Sequence, residues 1–222
     1  RNGHGLNFNY IGTNLSTIVD TGGRTLIAMT YSSSRLTEIM DVIGRTVSYT
    51  YDIDDNLISV TDVEGGITTF TYDTNHRILT ITDANGHTYL TNAYDDEGRV
   101  INQWDAEGYP TEFFYNDVDN DTIVTDRRGS QTIYDYDIYA RLQEKIDAEG
   151  YTTSYAYDDE NIIVAITNAR GFSTTYTYDD RGNRLSSTDA LDGFSNLTYD
   201  TMNNPLTITD ANGYTASFSY DD

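Results

Sequence analysis

The stretch "TTYTYDDRGNRLSSTDALDGFSNLTYD", residues 174–200, contains the pair Tyr-Asp twice. Its two tyrosines, Tyr178 and Tyr199, are 21 residues apart. The spacing recurs along the chain, since tyrosines occupy positions 10, 31, 51, 72, 94, 115, 136, 157, 178, 199 and 220. Self-similarity at a fixed period of about 20–50 residues is the signature of a repeat architecture. Residues must therefore be interpreted by their position in the repeat.

A second marker, Asp followed three residues later by Gly, lies ten or eleven residues before the tyrosines from Tyr31 onward. Two repeats depart from it. Asn168 replaces the Asp in one, and in the other Asp192 occupies the Gly position and Gly193 follows, which predicts a left-handed backbone at Gly193. The positions interpreted as structural are Tyr51, Tyr72, Tyr94, Tyr115, Tyr136, Tyr157, Tyr178, Tyr199 and Tyr220, with Gly65, Gly86, Gly108, Gly129, Gly150, Gly171 and Gly213.

Each repeat has the pattern of a β-hairpin. In "NPLTITDANGYTASFSYDD", residues 204–222, apolar and small polar residues alternate on both sides of "DANG". Alternation with period two around a short turn predicts two antiparallel strands. Asp at the first turn position and Gly at the fourth suit a type I turn, because Gly reaches positive φ without steric cost. The residue after each tyrosine, usually Asp, is expected to cap a second turn between repeats.

The predicted fold is all-β, a continuous antiparallel β-hairpin meander of about ten 21-residue repeats. We expect a single array over residues 1–222, curled into a spiral strip or part of a hollow shell, because long open sheets twist and curl. The aromatic face is expected to pack as an elongated core. Two other folds have similar spacing. A β-propeller would predict alternation between odd and even repeats, which the sequence does not show. A parallel β-helix does not need the tight turn that recurs here in every repeat.

Three positions carry more specific expectations. Gly150 should have positive φ, whereas Gly66 lies outside the turn position and should tolerate alanine. The tyrosine interval lengthens to 22 residues at Tyr94. The extra residue, near Asn92, should be absorbed by a β-bulge or a widened turn.

The composition excludes several classes of function. The chain has 222 residues, no cysteine and a formal net charge of −23 at pH 7. A disulfide framework is impossible, and the negative charge opposes binding to nucleic acid. No apolar run of about 18 residues is present, so membrane insertion is not expected.

The acidic residues raise two chemical alternatives. Paired carboxylates could support hydrolysis, but nearly all of them recur in turn positions, whereas a catalytic site is normally singular. We therefore predict no catalytic residue. Asp117, Asp119 and Asp121 have the spacing that opens a calcium loop, although the rest of that pattern fails. These three aspartates are the metal candidates, and no other cofactor is expected.

The repeated positions resemble a known family. The segments "YDDEGRV" (94–100), "YDDRGNRL" (178–185), "TDANGHTY" (82–89) and "TDANGYTASFSYD" (209–221) are similar to the YD repeat, also called the RHS repeat. The resemblance covers essentially the entire chain and is weaker before residue 31. Members of this family include bacterial RHS toxins, the C components of Tc toxins, the wall-associated protein and teneurins.

The resemblance implies a β-strip that spirals into a hollow shell, with a toxic domain enclosed in the toxin members. It favours a structural scaffold that encloses or presents a cargo, in a secreted or cell-surface protein. Adhesion to a glycan or a surface protein is the alternative, and hydrolysis is more remote.

The chain begins and ends within a repeat, so we expect it to be a segment of a longer polypeptide. Its partners would be the flanking repeats or other copies of itself. Self-association through strands near residues 8–10 and 218–220 is expected to increase with salt, which screens the charge of −23.

Overall fold

The computed structural model describes residues 5–220, and its regular structure consists of 21 β-strands. The chain divides into two compact units, the first ending at Thr111 and the second beginning at Glu112. The first unit contains β1 (Leu6–Ile11), β2 (Asn14–Asp20), β3 (Thr25–Ser32), β4 (Arg35–Asp41), β5 (Thr46–Tyr51), β6 (Leu57–Thr61), β7 (Ile67–Tyr72), β8 (Ile78–Thr82), β9 (Thr88–Tyr94) and β10 (Val100–Trp104).

Strand β11 (Pro110–Asn116) crosses the boundary between the units. The second unit continues with β12 (Asp121–Thr125), β13 (Gln131–Tyr136), β14 (Leu142–Ile146), β15 (Thr152–Tyr157), β16 (Ile163–Thr167), β17 (Ser173–Tyr178), β18 (Arg184–Thr188), β19 (Phe194–Tyr199), β20 (Pro205–Thr209) and β21 (Thr215–Ser217). Residues 5–220 include no helix that is long and apolar enough to cross a membrane.

In each unit every strand pairs with the next strand of the chain, and every pairing is antiparallel. Nine such pairings join β1 to β10 in order. Ten join the paired part of β11, which begins at Glu112, to β21. The predicted all-β hairpin meander is thus confirmed.

The sheet has no buried core within the described part of the chain. No side chain there is fully buried, and the repeated tyrosines from Tyr31 to Tyr199 are half-buried. The expectation of an elongated packed core is therefore wrong for this single layer. A sheet without a second layer gains less from the hydrophobic effect, which scales with apolar area removed from water. Backbone pairing and turn chemistry must then contribute a larger share of stability.

A β-bulge follows nearly every repeated tyrosine. Thr71 pairs with Thr80 and Tyr72 pairs with Ile78, so Leu79 is an extra residue on β8. The same register shift occurs at Tyr10, Tyr31, Tyr51, Tyr94, Tyr136, Tyr157, Tyr178 and Tyr199. A bulge leaves the extra residue unpaired and increases the local twist.

The 22-residue interval is absorbed as expected, by a second bulge in its repeat. Thr82 pairs with Thr88 and Ile81 with Leu90, which leaves Tyr89 as the additional residue on β9. The added residue therefore disturbs one strand pair and leaves the next repeat in register.

One turn differs from the expectations. Asp192 itself adopts the left-handed conformation, with φ +62°, and Gly193 does not. A Cβ at Gly193 would lie 2.5 Å from Asp189 Oδ2, so the carboxylate occupies the space that a side chain would need. Gly66 lacks positive φ, and a Cβ there would lie 2.7 Å from Asp62 Oδ2, so that carboxylate would have to shift to accommodate alanine.

Gly150 offers a clean test of the turn conformation. Its φ is +84° and an added Cβ would meet no atom within 4 Å, so a substitution there is opposed by the backbone alone. Gly150→Val should lower the free energy of unfolding by about 1–3 kcal/mol, because a β-branched residue is strained at positive φ. Gly150→Asn, which tolerates this conformation, should cost clearly less. Urea unfolding measures both, and equal losses would contradict the steric explanation.

Candidate functional site

The repeated chemistry of the protein lies in its turns. In the intra-repeat turn at residues 147–151, Asp147 Oδ1 accepts hydrogen bonds from the backbone N–H groups of Glu149 at 3.1 Å and Tyr151 at 2.8 Å. The N–H of Gly150 donates to the carbonyl of Asp147 at 2.9 Å, and the N–H of Asp147 donates to the carbonyl of Tyr151 at 3.0 Å. One aspartate therefore organises a complete five-residue turn.

The inter-repeat turn has the same hydrogen bonds although its sequence differs. Asp179 Oδ1 accepts from the N–H groups of Arg181 at 3.0 Å and Asn183 at 2.9 Å. The fourth residue again has positive φ, as in Gly182 and Asn203, and even in Ala140 with φ +59°. The same turn thus closes both ends of the repeat, which the sequence pattern alone does not show.

The repeated tyrosines make a contact that sequence reasoning missed. The hydroxyl of Tyr72 donates to the carbonyl oxygen of Leu57 at 2.8 Å, on the neighbouring strand. The same bond, at 2.7–3.0 Å, joins Tyr31 to Leu15, Tyr51 to Leu36, Tyr94 to Ile78, Tyr157 to Leu142 and Tyr199 to Arg184. The signal was available in the sequence, because Tyr and never Phe occupies this position, and only Tyr carries the hydroxyl.

The bulge and the hydroxyl act together. Ile78 pairs with Tyr72 at the bulge, and its carbonyl accepts the hydroxyl of Tyr94 from the following repeat. Because a bulge disrupts the ladder, a carbonyl beside it needs another donor. In these six repeats the tyrosine hydroxyl supplies that donor and couples its repeat to the previous one. We call this contact the tyrosine bond.

Arginine side chains reinforce the coupling at some inter-repeat turns. Arg77 Nε donates to Asp73 Oδ2 at 2.7 Å in its own turn, and Nη1 donates to the carbonyl of Asp95 in the next turn at 3.2 Å. Its guanidinium also lies 4.5 Å from the centre of the Tyr94 ring. Arg141 makes the equivalent contacts with Asp137, Asp158 and Tyr157. Such cation–π contacts contribute about 0.5–1 kcal/mol at exposed sites.

These repeated contacts match a family defined by its repeats. The model of the RHS repeat matches residues 31–67, 54–88 and 161–193. The segments at residues 31–88 and 161–193 are RHS repeats. The matched segments include inter-repeat turns, the bond from Arg77 to Asp73 and two of the tyrosine bonds, those of Tyr51 and Tyr72. A search of the curated proteins returns no match.

Solved structures share the fold of the RHS repeats described above. The crystal structure of TcdB2-TccC3-TEV aligns with a TM-score of 0.61 at 11% identity, over 93% of this chain and 14% of that chain. The Tc holotoxin pore of Photorhabdus luminescens aligns with a TM-score of 0.55 at 10% identity, over 93% and 17%. The crystal structure of TcdB2-TccC3 aligns at 0.53 and 13% identity, over 98% and 12%. This chain therefore spans about a sixth or less of the structures it resembles.

The metal candidates lie where one inter-repeat turn departs from the pattern. Asp117 and Asp119 are in the loop between β11 and β12, and Asp119 Oδ2 accepts from the side-chain amide of Asn116 at 2.7 Å. Asp121 begins β12, and its Oδ1 is buried without a hydrogen-bond partner. Over residues 5–220, no three His, Cys, Asp or Glu side chains form a group that could hold a metal ion.

Two carboxylates share an open groove at adjacent intra-repeat turns. Asp83 and Glu107 line it together with His87 and Tyr89. Asp83 Oδ1 accepts from the N–H groups of Asn85 and His87 at 2.9 Å each, which is the turn pattern of the other RHS repeats. This carboxylate is therefore already engaged in closing its turn.

Hydrogen bonding keeps the turn aspartates ionised. The side-chain amide of Asn183, the backbone N–H groups of Asn183 and Arg181, and the Arg181 guanidinium all donate to Asp179. These hydrogen bonds lower the pKa of Asp179 to about 2, because their effect is larger than that of partial desolvation, which raises the pKa. The pKa is also lowered in Asp20, Asp41, Asp52, Asp73, Asp83, Asp95, Asp126, Asp137 and Asp200.

Removing one tyrosine bond should weaken the strip locally. Tyr72→Phe keeps the ring but leaves the half-buried carbonyl of Leu57 without its 2.8 Å donor. We expect a loss of about 0.5–1.5 kcal/mol, the net value of such a hydrogen bond. Tyr214→Phe, at an exposed ring, is the control and should change stability little. Urea unfolding of both variants decides, and equal midpoints would mean that the tyrosine bond contributes nothing measurable.

The turn aspartates predict a loss of stability in acid. Because the pKa of Asp179 is depressed to about 2 in the folded state, its stabilisation is complete above the unfolded value of about 3.9. It is lost as the pH falls from there towards 2. The melting temperature should therefore fall between pH 5 and pH 2, and Asp179→Asn should show a smaller fall.

Asparagine is a suitable replacement because Asn168 already closes an RHS turn, with Oδ1 accepting from Arg170 N–H at 2.9 Å. Asp180→Asn, at the exposed neighbouring residue, should retain the full acid sensitivity of the unmodified protein. The same fall in all three proteins would show that Asp179 has no part in it.

Proposed function

We propose that this chain is one segment of a longer RHS strip, which encloses or presents a cargo polypeptide carried by the same protein. One observation carries the proposal. The turns, bulges and tyrosine bonds recur in most repeats, and the aspartates that begin the turns are engaged in closing them. A surface built by repetition suits a scaffold better than a catalytic centre, and in this proposal the chain is not an enzyme.

Two further observations support it. The chain aligns with 12–17% of the length of three much longer structures. Its own sheet is a single layer with both faces accessible, so repeats beyond those present here could continue the same pattern at either end. The family resemblance further favours a protein that acts outside the cell.

Limited proteolysis of the complete gene product tests the enclosure of a cargo. If the RHS strip encloses a cargo, the segment outside the repeats should resist a protease that digests the same segment expressed alone. Gly150→Val, which strains one turn of the strip, should increase cleavage of that segment, whereas Gly150→Asn should not. A gene product that consists of repeats alone, or a segment cleaved equally fast with and without the strip, would overturn the proposal.

A further inference from the structure

Three aromatic side chains of the second unit project where the fold does not need them. Tyr151, Phe172 and Tyr214 each follow the left-handed residue of an intra-repeat turn, and they are 62%, 50% and 75% exposed. Other repeats place Arg24, Ser130 or Gly193 at this position and close the same turn. The turn therefore does not require an aromatic ring. A single exposed apolar residue is ordinary, but several rings arranged in a row on one face suit a contact surface.

The three rings lie on one face of the second unit, near one edge. Each residue closes its turn in the same way, by accepting a bond from the N–H of the turn's first residue at 3.0, 2.9 and 2.9 Å, respectively. Identical positions in identical turns place the side chains on the same face of the sheet. Phe194 is 52% exposed but pairs with Thr188, one residue further along its strand, and so lies on the opposite face.

The spacing of this aromatic row follows from the strand ladder. Tyr151 and Phe172 precede β15 and β17, two strands apart, which corresponds to roughly 9.6 Å. Tyr214 precedes β21, four strands beyond Phe172, with Gly193 before the intervening β19. The row therefore spans about 29 Å.

A polyproline II helix has the matching period. It rises about 3.1 Å per residue with three residues per turn, so every third residue recurs after roughly 9.3 Å and nine residues span about 28 Å. Proline-rich segments bind to aromatic surfaces in this conformation, because it is already formed and little entropy is lost. The row of the RHS strip thus offers a ring at the first, fourth and tenth residue of such a helix.

The charge around the row selects the kind of proline-rich segment. The four intra-repeat turns at residues 147–151, 168–172, 189–193 and 210–214 contain one basic residue, Arg170, and five acidic ones: Asp147, Glu149, Asp189, Asp192 and Asp210. Acidic groups beside exposed rings favour arginine or lysine, through charge and cation–π contact. We propose that Tyr151, Phe172 and Tyr214 form a binding site for a basic, proline-rich polypeptide segment in the polyproline II conformation.

A synthetic peptide of four Pro-Pro-Arg triplets tests the site by isothermal titration calorimetry with the 222-residue chain. The peptide should bind, with an affinity that falls as the salt concentration rises from about 50 to 500 mM. Phe172→Ser should weaken binding by about tenfold, as expected for an aromatic anchor. Serine is tolerated there because Ser130 occupies the same position in another repeat, and far-UV circular dichroism checks that the fold is kept.

Two controls make the result specific. Phe194→Ser removes an equally exposed ring from the other face and should change the affinity by less than about twofold. A peptide of four Gly-Ser-Arg triplets has the same charge without the polyproline II preference and should bind much more weakly.

Three outcomes would overturn the proposal. The first is equal binding of the two peptides, which would mean that the site recognises only the charge of the peptide. The second is an unchanged affinity in Phe172→Ser. The third is binding of cellohexaose, in place of the peptide, that is lost in Phe172→Ser, which would assign the row to a neutral polysaccharide.

Discussion

The bulge next to most of the repeated tyrosines is the constraint on which the rest of the strip depends. It breaks the regular ladder near the inter-repeat turn, and the carbonyl beside it must find a donor. The tyrosine hydroxyl of the following repeat provides that donor, as Tyr94 does for Ile78. Because the donor and the acceptor come from consecutive repeats, the local break in strand pairing leads to a hydrogen bond that joins one repeat to the next. Arg77 and Arg141 strengthen two of these links by reaching across to the next turn.

The turns explain how a single-layer sheet can be stable without a buried core. Each Asp side chain accepts two backbone N–H groups that would otherwise depend on water, and it holds the chain where it reverses direction. Because the described part of the chain buries no side chain fully, these local bonds and the strand ladders replace much of the hydrophobic contribution. The same use of aspartate contributes to the net negative charge of the protein, because most repeats contain two turns and most turns are closed by a carboxylate.

Regular features of the fold could be predicted from the sequence because they depend on neighbours in the chain. The 21-residue interval, the period-two alternation and the Asp-x-x-Gly turns specify hairpins, and the extra residue before Tyr94 correctly indicated a bulge. Features that depend on neighbouring strands could not be predicted in this way. The tyrosine bond joins residues 15 or 16 positions apart, and its meaning emerges only once the bulge is placed. The left-handed Asp192 was missed because the turn imposes positive φ on its fourth residue whatever the residue type, as it also does at Ala140, and residue preferences alone do not reveal this.

The tyrosine bond also has a consequence for how such a protein can change in length. Its donor and acceptor are supplied at equivalent positions by every repeat that carries the motif, so a duplicated 21-residue segment brings its own contacts to both neighbours. Gene duplication can therefore lengthen the strip in steps of two strands, or about 9.6 Å, without redesigning any interface. An insertion of any other length would put donor and acceptor out of phase, unless a bulge like that at Tyr89 absorbed it. The 21-residue repeat is thus the length by which the strip can be extended, and a bulge can absorb an extra residue within one repeat.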